Sequence, residues 1–314
     1  MLRYFAQRLA WSVPTIFLVA VTVFTMIRLI PGDPALLILG DRATPETLQA
    51  LREQLGLDQG LVVQFGIWLR NALHGDLGWS ILTGEPVLPL IVNRFVVSFA
   101  VVLPTVFLAA LIAVPLGTIA AWRQNSVLDV ATVAGATLLL SIPTFWMGLL
   151  LLLFFGMRLG WFPVVGYVAI SDDWFAGAIY LVLPISTLVI HEIGGIARMA
   201  RASTLEVLRL DYVTHARAKG LSEARVLLDH VIRNAFGPTW TLLGLILGNL
   251  LGGIAIVETI FTIPGLGRLL VEAIFARDYP VIQGCLLCIS LFYVAVNLLI
   301  DFVYPAFDPR VALS

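Results

Sequence analysis

Six long apolar runs, separated by shorter segments that carry most of the charge, organise this chain. They fall at about Leu9–Ile30, Phe95–Ala121, Val130–Met157, Ala178–Ala200, Pro238–Val257 and Val281–Val303. About 20 helical residues at 1.5 Å each cross the roughly 30 Å of a bilayer's hydrocarbon, so each run predicts a membrane-spanning helix. Arg3 and Arg8 precede the first run, as they would a signal peptide. Its apolar part is too long for an h-region and no small-x-small cleavage site follows, so it reads as a retained helix.

Between the first two runs, Pro31 to Arg94 forms a long polar loop with its own helical pattern. After the turn sequence PGDP at 31–34, Thr44 is placed to cap a helix with Pro45 in its first position. Leu48, Leu51 and Leu55 then share a face before Gly56 stops it. In a second amphipathic segment Leu61, Phe65, Trp68 and Ala72 share a face and Gly75 ends the run. These helices either lie on the membrane or cover the spans, or they build part of a platform for an extracytoplasmic partner.

Composition agrees with the pattern. The 314 residues are 60% hydrophobic and 12% charged, and the mean hydropathy is +0.97, far from the soluble range. A net charge of −1 argues against nucleic acid as a partner, since phosphate binding requires a basic excess gathered on one face. Cys285 and Cys288 lie inside an apolar run and read as packed or lipid-facing small residues, not as a redox pair. With the N-terminus in the cytoplasm, Arg3, Arg8, Arg123, the seven basic residues from Arg198 to Arg233, and Arg310 all fall inside. The short opposite loops hold Arg158, Arg268 and Arg277. The positive-inside rule therefore predicts that both termini are cytoplasmic.

The segment Arg198 to Arg233 has seven basic and four acidic residues in 36, against 39 charged residues in 314 overall. Its punctuation is that of ordered helices. Asp211 is an N-cap candidate for a helix from Tyr212 to Lys219, Gly220 its terminator, and Ser222 the cap of a helix starting at Glu223. In that next helix Arg225, Asp229 and Arg233 recur as a salt-bridged polar stripe, while Leu221, Leu228 and Ile232 supply a partly separate apolar one. By spacing alone the segment is a docking element or an ordered solvated loop.

The residues HARAKGLSEARVLLDHVIRNA at 215–235 resemble the EAA loop of ATP-binding-cassette importer permeases, in the form found in the dipeptide and oligopeptide (and nickel) permease family. The subunit with the long first external loop is the one resembled. PGDPA at 31–35, LGLDQ at 55–59, GDLG at 75–78, SIPTFWMGLL at 141–150, VETIFTIPGLGRLLVEAIFARDYPVIQG at 257–284 and DPR at 308–310 extend the likeness over nearly the whole chain. The resemblance implies that Asp211, Tyr212, Thr214, His215, Ala216, Arg217, Lys219, Gly220 and Ser222 belong to a coupling helix and its flanks, seated in a groove of a cytoplasmic ATPase. Thr214, His215 and Ala216 take the Glu-Ala-Ala places. Only Ala216 and Gly220 match the general consensus, and Ile232 and Arg233 replace its closing Leu-Pro, a departure that bears on which ATPase is bound.

Absences point the same way. A phosphate-binding P-loop requires Gly-Lys-Ser/Thr, and the one lysine, Lys219, lies between Ala218 and Gly220. No nucleotide site can be built around it, so ATP energy would have to come from another chain. Four dispersed histidines without a Ser-His-Asp grouping give no basis for hydrolysis. The competing reading is an ion-driven secondary transporter, for which His191 and Glu192 in the fourth run are the candidate midplane ionisable groups. The alternative roles of Glu192 are to line the substrate path, meeting a cationic or N-terminal amine group, or to pair with His191 or another subunit. Gly244, Gly248 and Gly252 allow close helix approach, within the fold or against a second subunit. Trp146, Trp161 and Trp174 read as interfacial anchors.

Together these readings give an all-α polytopic membrane protein with six transmembrane helices and the transmembrane domain of a type I importer. The expected divisions are 1–30 (tail and first span), 31–94 (external helical loop) and 95–310 (transmembrane domain), with the coupling loop at about 202–236. The implied partners are a second homologous permease, two ATP-binding subunits (homo- or heterodimer), an extracytoplasmic solute-binding protein and the bilayer of a bacterial or archaeal inner membrane. The implied function is alternating-access import of di- or oligopeptides, with nickel chelates, glutathione, opines and some sugars as alternatives served by the same family. No cofactor is expected on this chain, ATP and magnesium residing in the ATPase subunits.

Overall fold

The computed structural model describes residues 2–29, 35–36, 43–54 and 58–306. The PGDP turn at 31–34, the Gly56 stop and DPR at 308–310 lie outside the described residues.

Among the described residues, five helices long and apolar enough to cross a membrane are joined by one bent helix pair, which makes six crossings if the pair counts as one. We number the helices α1 (Leu2–Leu29), α2 (Pro45–Gln54), α3 (Leu61–Leu73), α4 (Val87–Trp122), α5 (Val127–Ser141), α6 (Thr144–Arg158), α7 (Trp174–Leu208), α8 (Asp211–Ala218), α9 (Glu223–Gly253), α10 (Ala255–Ile260), α11 (Leu266–Ala276) and α12 (Tyr279–Val303). The core is built from α4, α7 and α9, where Val101, Ala109, Leu188, Ile196, Leu243 and Leu251 are buried together. Phe107, Leu111, Val130 and Leu138 are well exposed. An apolar surface of this extent is matched to lipid and not to water.

Glycines fix the closest crossings. A Cβ on Gly117 would stand 2.3 Å from the Ala197 carbonyl oxygen, so α4 and α7 touch backbone to backbone. On α9, a Cβ at Gly244 would meet Ile300 at 2.2 Å and one at Gly248 would meet Tyr293 at 2.5 Å. The expected glycine stripe therefore packs within the fold, against α12.

The third apolar run is not one helix. It bends by 92° between α5 and α6, because Pro143 donates no backbone hydrogen bond and drives Ile142 into an extended conformation (φ −88°, ψ 121°). Trp146 consequently sits just past this elbow and not at a span end. The fifth run is also displaced. Its helix begins at Glu223 and ends at Gly253, and Val257 belongs to the separate short helix α10.

The loop before the second span is ordered where described. Thr44 accepts from the Thr47 amide at 3.2 Å and Thr47 Oγ1 accepts from the Thr44 amide at 2.9 Å, a reciprocal cap for α2. Phe65 and Trp68 of α3 pack on Phe24 of α1, with ring centroids 5.4 and 5.9 Å apart. Thus α3 covers a span, and Gly75 (φ +83°) ends its run as expected.

At the end of the bundle that carries α3, Ser80 donates to the Asp278 carboxylate at 2.5 Å. Nearby, Arg94 donates to the Pro264 carbonyl at 3.0 Å and the Gly166 amide to Thr262 Oγ1 at 3.0 Å. The opposite end carries α8, the α4–α5 turn, and the Arg8–Asp301 ion pair at 3.3 Å.

Candidate functional site

Eight residues make a helix too short to be stable by itself, so α8 depends on what it rests upon. Val213 and Ala216, three residues apart and therefore on one face, are buried with Val207 of α7 and Val226, Val231 and Ala235 of α9. Trp122 at the end of α4 completes this small core. Tyr212 reaches from the helix to α9, donating to the His230 carbonyl at 3.2 Å and accepting from Asn234 Nδ2 at 2.9 Å.

The helix ends as the sequence requires. Gly220 adopts φ +80°, its amide donates to Arg217 O at 2.9 Å, and the Leu221 amide donates to Ala216 O at 3.4 Å. This pair of bonds is a Schellman turn, and Leu221 and Ala216 supply its apolar contact.

The start of the helix differs from expectation. Leu210 holds the N-cap position and Asp211 is the first helical residue, so Asp211 acts on the exposed amide dipoles of the first turn instead of capping them. Correspondingly the helix ends at Ala218, with Lys219 as its cap. Ser222 occupies the N-cap position before Glu223, but its side chain makes no capping bond.

A π-helical turn, Val226–Ile232, opens α9, and it overturns both stripes expected there. At π spacing the inward positions become Val226, Val231 and Ala235, while Leu228 is 63% exposed. For the same reason Arg225, Asp229 and Arg233 fall out of register, and no ion pair joins them among the described residues. Apolar periodicity read at 3.6 residues per turn cannot anticipate an inserted residue.

What α8 leaves outward is Asp211, Thr214, His215, Arg217, Ala218 and Lys219, all exposed. Arg217 is held in place: its guanidinium lies 5.3 Å from the Trp122 ring centroid and its Nε donates to Glu223 at 3.2 Å. The nine residues expected at this site thus lie on one doubly braced helix and its flanks, with a polar outer face that carries charges of both signs.

His191 and Glu192 lie mid-way along α7, both half-buried. Adjacent helical residues do not face one another, and the two make no ion pair. Among the described residues His191 Nδ1 is buried without a partner, and Glu192 forms no hydrogen bond or ion pair. Among those residues no three or more of His, Cys, Asp and Glu gather as a metal site.

Two further constellations were not anticipated. Asp129, 3% exposed, receives both Nε and Nη2 of Arg201, the latter at 2.9 Å, and the Asn125 amide at 3.0 Å. This clamp ties the start of α5 to α7 beside α8. Its sequence signal was an acid three residues after Ser126, one of the commonest of helix-start patterns. The second is Glu258, fully buried, which accepts from Ser98 of α4 and, at 2.8 Å, from the Arg268 amide at the start of α11. Ser98 in turn accepts from the Leu266 amide at 2.7 Å. A Cβ on Gly265 would lie 2.0 Å from the Glu258 carboxylate, and one on Gly267 2.7 Å from the Ala255 amide nitrogen. The acid and the glycines of ETIFTIPGLG thus form one interlocked unit.

Comparison with known proteins agrees with this architecture. Residues 113–313 match the family described as "Binding-protein-dependent transport system inner membrane component", and residues 1–102 match its N-terminal companion, "Binding-prot-dependent transport system membrane comp, N-term". A Brucella suis biovar 1 protein that bears, provisionally, the name peptide transport system permease protein is 43% identical, over 97% of each chain. The glutathione transport system permease protein GsiC of Escherichia coli (strain K12) is 41% identical over 99% of each. Among solved structures, the MetNI methionine ABC transporter in an inward-facing conformation matches with a TM-score of 0.52 at 16% identity, covering 68% of this chain and 96% of that one.

Proposed function

The chain belongs to the family of binding-protein-dependent transport system inner membrane components, and on that premise we propose that it forms half of the translocation pathway of an ATP-driven importer of di- or oligopeptides. The named relatives support a peptide, of which glutathione is a small example. The observation that carries the reading is α8: a short helix, capped at its end, anchored through Val213 and Ala216, whose Asp211, Thr214, His215 and Lys219 stand exposed on the outer face. In this reading α8 seats in an ATPase subunit on the cytoplasmic side, and both termini lie on that side. The ATPase pair holds ATP and magnesium and performs the hydrolysis. A solute-binding protein delivers the peptide opposite, and a second permease completes the channel.

Closure of the ATPases pushes α8. Because α8 shares its core with the ends of α4, α7 and α9, the push reaches three spans together. Glu192 then offers the solute's amino terminus an unpaired carboxylate, which accounts for a charge inside a span that costs about 3 kcal/mol to insert at the centre.

The test is reconstitution of the complex in vesicles. His215→Asp places a further acid on the exposed outer face and leaves Val213 and Ala216 in place. ATPase association and ATP-dependent uptake should fall at least fivefold with unchanged membrane insertion. Uptake that persists undiminished would remove α8 from the coupling path. Uptake by the chain alone under a proton gradient would replace the reading with a secondary transporter.

A further inference from the structure

We propose that this chain carries a specific phospholipid site, selective for a headgroup with both a phosphate and a primary ammonium, at the end of the bundle remote from α8. A cavity of about 220 Å³ lies there between α1, α3 and the start of α12. Three groups that line it want a hydrogen-bond acceptor. Among the described residues, the Oη of Tyr279, which is 5% exposed, has no partner. Gln283 Nε2 is buried and likewise unpartnered among them. Arg28, half-buried, rests 5.1 Å from the Phe24 ring centroid and meets no carboxylate among the described residues. Buried donors left unpaired destabilise the fold until an acceptor reaches them, and a guanidinium with two neighbouring donors matches the oxygens of a phosphate.

Asp76 lines the same cavity. Its Oδ1 accepts from the Gly78 amide at 2.9 Å, and the exposed carboxylate leaves room for a cation. A carboxylate beside an anion site is unfavourable for a simple phosphate. It suits a zwitterion whose ammonium can donate to it.

What makes the ligand a lipid is the second cavity. An apolar groove of about 390 Å³ runs between α4 and α12, and Leu77 belongs to the walls of both. Along α12 the lining passes from Gln283 to Gly284, Leu287, Leu291 and Ala295, a stripe at helical spacing. From Gly284 to Ala295 is eleven residues, about 16 Å at 1.5 Å each, and half of a roughly 30 Å hydrocarbon core is about 15 Å. One acyl chain of one leaflet fits that length. The headgroup end lies at the level where α1 and α12 reach their ends. In the orientation proposed above, the lipid is drawn from the outer leaflet.

The experiment uses the full chain with its co-purifying subunits, reconstituted in nanodiscs of equal phosphatidylethanolamine, phosphatidylcholine and phosphatidylglycerol. It is then stripped stepwise with detergent and read by native mass spectrometry. One phosphatidylethanolamine per chain should outlast the other two lipids at least tenfold. Arg28→Gln and Gln283→Ala should each cut that retention about tenfold. Leu291→Trp, which fills the groove without touching the polar cavity, should cut it equally. Asp76→Asn should erase the preference over phosphatidylglycerol. Equal retention of all three lipids, or of lipid by the Arg28→Gln protein, overturns the proposal. So does displacement by soluble phosphorylethanolamine as readily as by lipid, which would mark a site for a free solute. Protection of Cys288, in the groove wall, from a membrane-permeant maleimide by a neighbouring subunit in lipid-free detergent would show that protein fills the groove, and overturns it as well.

Discussion

Replacing Gly220 isolates one physical term. Its φ of +80° lies in the left-handed region, and a Cβ built there meets nothing within 4 Å. A substitution therefore adds no clash and only the conformational cost, about 1–2 kcal/mol for an ordinary L-residue. That corresponds to a five- to thirtyfold shift between the closed Schellman turn and an open one. The closed turn protects two amides, Gly220 N–H on Arg217 O and Leu221 N–H on Ala216 O. Hydrogen exchange of peptides covering 216–222, measured on the reconstituted complex, should accelerate by that factor in Gly220→Ala and more in Gly220→Val. Gly220→Asn should stay near the parent, because asparagine tolerates the left-handed region. Half-maximal ATPase stimulation should follow the same order, Gly, Asn, Ala, Val. A Val variant whose exchange matches the parent, or an Asn variant as damaged as Val, would refute the assignment of the effect to backbone conformation.

Three further outcomes are expected. Breaking the Asp129–Arg201 clamp should be asymmetric: the acid side chain is 5% exposed and the arginine 24%, so Arg201→Met, which strands the acid, should lower the unfolding temperature in detergent more than Asp129→Asn, and the double variant should recover part of the loss. Gly248→Ala forces a Cβ to within 2.5 Å of Tyr293, an overpacking worth about 1–3 kcal/mol; monodisperse yield should fall, and Tyr293→Ala in the same protein should restore it. Glu192→Gln should raise the yield of inserted protein, since it removes an unpaired half-buried charge, while uptake of peptides with a free amino terminus drops and that of N-acetylated peptides does not.

The spans were legible because a 20-residue apolar run has few alternatives in water or lipid. Gly220 was legible as well, since a glycine following a short polar helix has one common use. The N-cap of α8 was misplaced by one residue because Asp211 is favourable both as a cap and in the first turn, and Leu210 gives no capping signal of its own. The π turn at 226–232 was invisible, because every residue in VLLDHVI fits an α-helix equally well and only the packing of Val231 and Ala235 decides. The elbow at Pro143 lay in plain sight. A proline inside an apolar run is common enough in membrane helices, as at Pro104, Pro115 and Pro184, which α4 and α7 absorb without breaking, that the residue alone does not separate a tolerated site from a corner. Glu258 stood in the sequence only as a letter of the 257–284 stretch, and its role depends on Ser98, 160 residues away.

The corner between α5 and α6 has a mechanical consequence. A straight rod pushed at one tip slides along its axis, whereas a bent one pushed on one arm swings the other. The clamp of Asp129 on Arg201 fastens the first arm to α7, and Gly148 on the second arm rests beside Thr187 and Phe261, close to where α10 ends. Motion delivered to the near arm would therefore reach the far face as rotation, the action of a crank that turns a small axial stroke into a sideways sweep of the wall.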